Sequence, residues 1–148
     1  MKTEMSLEEY RDWLGEQKRP APRDDREHQE QAALFRWASL VEPRLPELAT
    51  LFAIPNGGDR HPVVAAKLKD EGVRSGVWDC LLATPRDGLA GCWIEMKAGR
   101  NGLTCDQKVW AHLMRAAGYR CEDVCFSWCE AARAICEYLG ATPGEYGL

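Results

Sequence analysis

The sequence has no apolar stretch approaching the roughly 20 consecutive residues that a membrane-spanning helix requires. It also has no recognisable signal peptide, because residues 1–20 carry charged groups throughout. An even set of cysteines for disulfide pairing is missing too, since the count is seven. These absences argue against a membrane protein or a disulfide-stabilised secreted domain. They predict a soluble, cytoplasmic protein with free, mostly buried thiols.

A clear zinc pattern is also lacking. Cys121, Cys125 and Cys129 are evenly spaced, but no histidine lies near them, and the run crosses from a predicted strand into a predicted helix. Structural zinc sites usually show four ligands. Zinc binding is therefore the less favoured interpretation of these cysteines.

The apolar content is that of a folded domain. It reaches 45%, with six Trp, four Tyr and three Phe, which argues against disorder. A chain of 148 residues suits one domain with a single core. We expect residues 1–23 to form an N-terminal helical arm and linker, residues 24–140 the folded domain, and residues 141–148 a flexible tail.

Two apolar runs joined by a turn predict a β-hairpin in the middle of the chain. Residues 80–84 form the first run, residues 85–91 a turn rich in Pro and Gly, and residues 92–97 the second run. Because side chains alternate along a strand, Glu95 and Lys97 share one face, opposite to the apolar face of this strand. Unpaired buried charge is costly, so this acid and base require a compensating partner such as a metal ion.

The charged residues of the hairpin have the chemistry that metal-dependent phosphodiester cleavage needs. Asp79 and Glu95 supply hard oxygen ligands for Mg²⁺, which polarises a phosphate and lowers the pKa of a bound water. Lys97 beside them can orient or deprotonate that water and offset developing negative charge. The alternative is that all three are solvated charges on a surface hairpin, and the hairpin alone does not decide between the two.

Several spaced blocks between about Glu27 and Leu139 resemble one family. In that stretch the sequence is similar to the virus-type replication-repair nuclease (VRR-NUC) domains of the PD-(D/E)xK nucleases. One departure is visible, because the family usually has proline just before the aspartate and this chain has Trp78. The matching blocks are Glu27-x-x-x-Gln31, Ile54-Pro55-Asn56-Gly57-Gly58, Leu68-Lys69-x-x-Gly72-Val73-x-x-Gly76-Val77-x-Asp79, Ile94-Glu95-Met96-Lys97, and Gln107 followed by Trp110.

The resemblance implies an α/β, restriction-endonuclease-like fold with a central mixed sheet flanked by helices. It further implies a Mg²⁺- or Mn²⁺-dependent DNA endonuclease. Asp79, Glu95 and the Met96 carbonyl would hold the metal, and Lys97 would activate or orient water. Glu27 would support the metal site directly or through water, with Gln31 bracing it. Small members of the family are similar to homodimeric enzymes that cut branched DNA such as Holliday junctions.

Helical spacing gives independent reasons to notice the polar residues outside the hairpin. Glu27 and Gln31 extend the apolar stripe of a helix predicted from Asp24 or Asp25 to Val41. Glu27 could instead serve the helix dipole. Gln107 fits a capping box with Thr104, yet it also points inward, so a role beside Lys97 is equally open.

The net charge of −4 is unevenly distributed along the chain. Residues 54–120 carry ten basic and seven acidic groups, whereas both flanking segments are acidic. This basic excess coincides with the hairpin, although each basic residue could equally be a solvated surface charge. The DNA-binding candidates are Asn56, Gly57, Gly58, Arg60, His61, Lys67, Arg74, Arg100 and Lys108.

The predicted element order is helix, strand, helix, strand, strand, helix, strand, helix, which fits a mixed sheet covered by helices. Two other functions stay open. The first is a non-catalytic DNA-binding or assembly module that keeps the nuclease fold. The second is a hydrolase acting on RNA or nucleotides, although no stacking platform of aromatic residues is evident.

Overall fold

The computed structural model describes residues 25–56 and 61–148. The predicted arm and linker at 1–23, the alternative cap Asp24, and Gly57, Gly58 and Arg60 lie outside the described residues. Within the described part, no helix is both long enough and apolar enough to cross a bilayer.

The predicted order of helices and strands is confirmed, with two short 3₁₀ helices added. Four α-helices span Arg26–Val41 (α1), Pro62–Asp70 (α2), Cys105–Ala116 (α3) and Trp128–Leu139 (α4). Four strands span Leu51–Ala53 (β1), Cys80–Leu82 (β2), Cys92–Met96 (β3) and Arg120–Cys125 (β4). The 3₁₀ helices are Pro46–Thr50 and Pro143–Tyr146.

The four strands form one mixed sheet in the order β1-β2-β3-β4. The first three strands pair antiparallel, and β3 pairs with β4 in parallel. The pairing of Cys92 with Arg120 and of Ile94 with Asp123 leaves one extra residue in β4, which is a bulge. Because side chains alternate along a strand, this extra residue turns Cys121 and Cys125 toward opposite faces of the sheet.

Strand β3 is buried on both faces, because helices cover the sheet on each side. Helices α1 and α4 pack against each other over one face, where Ile94 and Met96 join a large apolar cluster. Helix α3 packs on β4, and Trp93 contacts its Trp110 edge-on with ring centroids 5.4 Å apart. Glu95 is therefore buried on the α3 side of the sheet.

The C-terminal segment differs from the flexible tail expected from the sequence. Residues 143–146 form a 3₁₀ helix, and Tyr146 and Leu148 pack against the larger apolar cluster. The indole N–H of Trp37 donates to the carbonyl of Tyr146 at 2.9 Å, and the Arg44 guanidinium donates to the Glu145 carbonyl at 2.7 Å. These contacts come from residues over a hundred positions away, so no local pattern in the tail signals them.

Candidate active site

The hairpin of β2 and β3 brings Asp79 and Glu95 side by side. The register pairs Cys80 with Ile94, so Asp79, just before β2, lies opposite Glu95. Each carboxylate accepts a hydrogen bond from a backbone N–H on the opposite side of the hairpin. The Asp79 N–H donates to Glu95 Oε2 at 3.2 Å, and the Met96 N–H donates to Asp79 Oδ2 at 2.9 Å. These bonds orient both carboxylates by backbone geometry.

Two further side chains converge on the other oxygen of Glu95. Lys97 Nζ lies 3.1 Å from Glu95 Oε1, and the side chains are only 10% and 2% exposed. The Gln107 side-chain amide donates to the same oxygen. The structure thus groups Asp79, Glu95, Lys97 and Gln107, which come from two strand ends and one helix.

Gln107 combines a capping role with an inward contact, and its position in the sequence allowed both. The capping box is confirmed, because Thr104 Oγ1 accepts from the Gln107 N–H at 3.2 Å and Gln107 Oε1 accepts from the Thr104 N–H at 3.0 Å. This use of Oε1 fixes the amide plane, which leaves Nε2 directed at Glu95. The cap and the contact with the buried carboxylate therefore depend on the same rotamer.

Glu27 lies at the edge of this group, in the first turn of α1. Its Oε1 accepts a hydrogen bond at 3.0 Å from the N–H of Ala98, the residue that follows Lys97. Gln31, one turn later, is half-buried and makes no hydrogen bond to Asp79 or Glu95 among the described contacts. Glu27 thus anchors the chain after Lys97, while Gln31 stays outside the hydrogen-bonded group.

The surroundings of Asp79 and Glu95 disfavour the ionised form of both carboxylates. Burial, followed by the nearby charge of Asp79, raises the pKa of Glu95 to about 7. Burial also raises the pKa of Asp79, and Glu27 adds to that effect, while the Met96 N–H and Lys97 oppose it. The charge of Lys97 lowers the pKa of both carboxylates but does not outweigh the effect of their burial.

The donor set at the hairpin fits a small divalent cation. Within residues 25–56 and 61–148, no cluster of three or more His, Cys, Asp and Glu side chains is arranged to hold a metal. Asp79 and Glu95 nevertheless offer two carboxylates beside the Met96 backbone, and the Met96 side chain itself is buried in the core. Such a sparse set suits Mg²⁺, which usually keeps several water ligands and takes one or two carboxylates from the protein.

Comparison with solved structures shows the fold. A structure described as a "VRR_NUC domain protein" matches with a TM-score of 0.65 and 22% sequence identity, over 80% of this chain and 92% of that one. The chain has the fold of a VRR-NUC domain. No protein-family model and no curated protein matches the sequence. The fold class predicted from the sequence, an α/β domain with a mixed sheet flanked by helices, is confirmed.

Among the described residues of this VRR-NUC fold, those predicted to contact DNA differ in exposure and in the contacts that they make. Asn56 uses its side chain internally, donating to the Val77 carbonyl at 2.6 Å. His61 caps α2, accepting from the Val63 N–H at 3.3 Å. Lys67 lies 4.0 Å from Glu71 in an exposed helical pair. The remaining described candidates are exposed basic side chains, namely Arg74, Arg100 and Lys108.

Sequence reasoning did not anticipate the contact that Trp78 makes in this VRR-NUC fold. Trp78 is fully buried, and its indole N–H donates to the carbonyl of Gln107 at 3.1 Å. The sequence showed only that an aromatic residue stands where the family usually has proline. No local pattern signals a bond between residues 29 positions apart.

Proposed function

We propose that this chain is a Mg²⁺- or Mn²⁺-dependent DNA endonuclease. The observation that carries the proposal is the buried group at the hairpin, where Asp79 and Glu95 lie side by side with Lys97 on the same carboxylate. Two adjacent buried acids resist ionisation together, and a divalent cation would remove that penalty. A nuclease function also accords with the VRR-NUC fold.

Asp79, Glu95 and the Met96 carbonyl would hold the cation, with Glu27 at its margin through water. The bound cation would polarise a phosphodiester and lower the pKa of a water molecule. Lys97, whose ammonium group is fixed by Glu95, would orient that water and offset negative charge on the phosphate. Gln107 keeps Glu95 in place and so acts as a positioning residue.

Cleavage assays on defined DNA test this function. Labelled single strands, duplexes, flaps, splayed arms and four-way junctions are incubated with Mg²⁺, Mn²⁺ or EDTA. We expect metal-dependent cutting that Lys97→Ala reduces by about a hundredfold or more, in the range of a lost general base or charge-stabilising group. Lys97→Arg separates charge stabilisation from proton transfer, because arginine keeps the positive charge but cannot give up a proton at neutral pH.

Arg133→Ala is the matched control for these variants, since Arg133 is an exposed basic residue on α4 and has no part in the proposed site. Its activity should equal that of the wild type. If DNA is bound but never cut with either metal, the nuclease proposal fails, and the non-catalytic DNA-binding or assembly module takes its place.

Branched DNA, such as a Holliday junction in replication, repair or recombination, is the substrate we propose within that class. A junction has near two-fold symmetry, so an enzyme of two identical subunits can place one site on each of two strands. We therefore also propose a homodimer. Preference for the four-way junction in the same assay supports the first proposal, and analytical ultracentrifugation, which gives the mass in solution, tests the second.

A further inference from the structure

Trp78 directly precedes Asp79 and packs between the sheet and the helix that carries Gln107. It is fully buried in the apolar cluster between the sheet and α3, together with Trp93, Ala111 and Cys121. It therefore lines no substrate groove. Any influence on the site passes through the groups it contacts inside the protein.

One of those contacts leads directly to a carboxylate of the site. The Trp78 indole N–H donates to the Gln107 carbonyl at 3.1 Å, and the Gln107 side chain donates to Glu95 Oε1. Trp78 thus holds the backbone of the residue whose amide holds Glu95. A proline at position 78 has no side-chain donor and could not make this bond.

The loop before Trp78 fixes the same turn of α3. Ser75 donates to the Asp106 carboxylate at 2.6 Å, and a Cβ added to Gly76 would lie 2.5 Å from the Asp106 backbone. Loop and helix are therefore in direct backbone contact at Asp106, and the indole bond follows one residue later. The contacts of Ser75, Gly76 and Trp78 together fix the position of the first turn of α3 relative to the hairpin.

We propose that Trp78 is a positioning residue for the site, acting through Gln107 to fix the orientation of the Glu95 carboxylate. This inference rests on the proposed metal-dependent function. Burial alone would predict only a packing role for this aromatic residue, whereas the proposal gives it an effect on metal binding and turnover.

The test removes the indole N–H and keeps an aromatic ring at position 78, and the control loses the same volume from the same cluster. Trp78→Phe should weaken Mn²⁺ binding, measured by calorimetry without DNA, and lower kcat about tenfold with little change in KM, the scale of one lost hydrogen bond. Trp110→Phe is the matched control, because Trp110 packs in the same cluster and its buried indole N–H has no hydrogen-bond partner among the described residues. It should leave Mn²⁺ binding and kcat unchanged.

A double-mutant cycle separates positioning from general destabilisation. In a Gln107→Ala background, Trp78→Phe should have no further effect on Mn²⁺ affinity, because the group it acts through is gone. Equal effects in both backgrounds, or equal effects of Trp78→Phe and Trp110→Phe, would overturn the inference. If Phe is not tolerated at position 78, a benzothienylalanine residue there keeps the bicyclic shape without the N–H.

The metal readout also distinguishes the two proposals. A wild-type protein that binds Mn²⁺ but cuts no DNA contradicts the nuclease function, and the cycle on Mn²⁺ affinity still decides the role of Trp78. A wild-type protein that neither binds Mn²⁺ nor cuts DNA contradicts both.

Discussion

Glu95 is an ionisable residue in the interior of the domain, and its burial raises its pKa from 4.5 to about 7. Between these two values the folded protein binds more protons than the unfolded chain. The free energy of unfolding must therefore fall as the pH rises through this interval, and it is constant outside it as far as Glu95 is concerned. The raised pKa of Asp79 acts in the same direction.

We predict that Glu95→Gln weakens this pH dependence, because glutamine does not ionise. Urea unfolding of the wild type in EDTA should show stability falling from about pH 4.5 to pH 7, and the variant should show a shallower fall. Adding Mn²⁺ should stabilise the wild type more at pH 8 than at pH 5, since the cation binds the ionised carboxylates. An unchanged slope in Glu95→Gln would show that other groups cause the dependence.

At the scale of elements, the loop before β2 is fitted closely to the first turn of α3. Gly76 has a φ of +81° and no room for a side chain beside Asp106, whereas Gly72 has a φ of +96° and no described residue within 4 Å of the position that a Cβ would take. The two glycines share the backbone conformation that side chains disfavour and differ in steric surroundings. Comparing alanine substitutions at the two positions therefore separates the energetic cost of the loop–helix contact from the cost of backbone strain.

We predict that Gly76→Ala lowers the free energy of unfolding by about 1–3 kcal/mol more than Gly72→Ala, the usual range for overpacking. Gly72→Ala should itself cost about 1–2 kcal/mol from the left-handed conformation. The added methyl group should also push α3 away from the loop, and Gln107 would then move away from Glu95. Gly76→Ala should therefore weaken Mn²⁺ binding. Denaturant unfolding and calorimetry check the two effects. Equal losses in the two variants would contradict a tight contact.

The elements that the sequence predicted best are those with local signals. Alternation of side chains gave the hairpin and the shared side of Glu95 and Lys97, and the Thr104-x-x-Gln107 spacing gave the cap of α3. The parallel pairing of β3 with β4 and the bulge in β4 depend on contacts between distant segments, which leave no local pattern. The bond between Trp78 and Gln107 was hidden for the same reason.

At the scale of the whole molecule, α1 links the site to the far end of the chain. Its first turn carries Glu27, which anchors the segment after Lys97, and its later turns carry Trp37. The carbonyl of Tyr146 accepts from Trp37, and the ring of Tyr146 lies 5.1 Å from the Arg44 guanidinium. The C-terminal segment is thus part of the packing that holds α1 against the sheet.

We predict that deleting residues 143–148 lowers the free energy of unfolding by about 2–4 kcal/mol, because Tyr146 and Leu148 leave the apolar cluster and the Trp37 N–H loses its acceptor. Glu145→Ala is the control. Its side chain is exposed, and its described hydrogen bond with Arg44 uses the backbone carbonyl, so the stability of this variant should stay within about 0.5 kcal/mol of the wild type. Urea unfolding measures both changes. A deletion variant as stable as the wild type would mean that α1 is held by the sheet and α4 alone, and that the last six residues add nothing to the fold that supports the site.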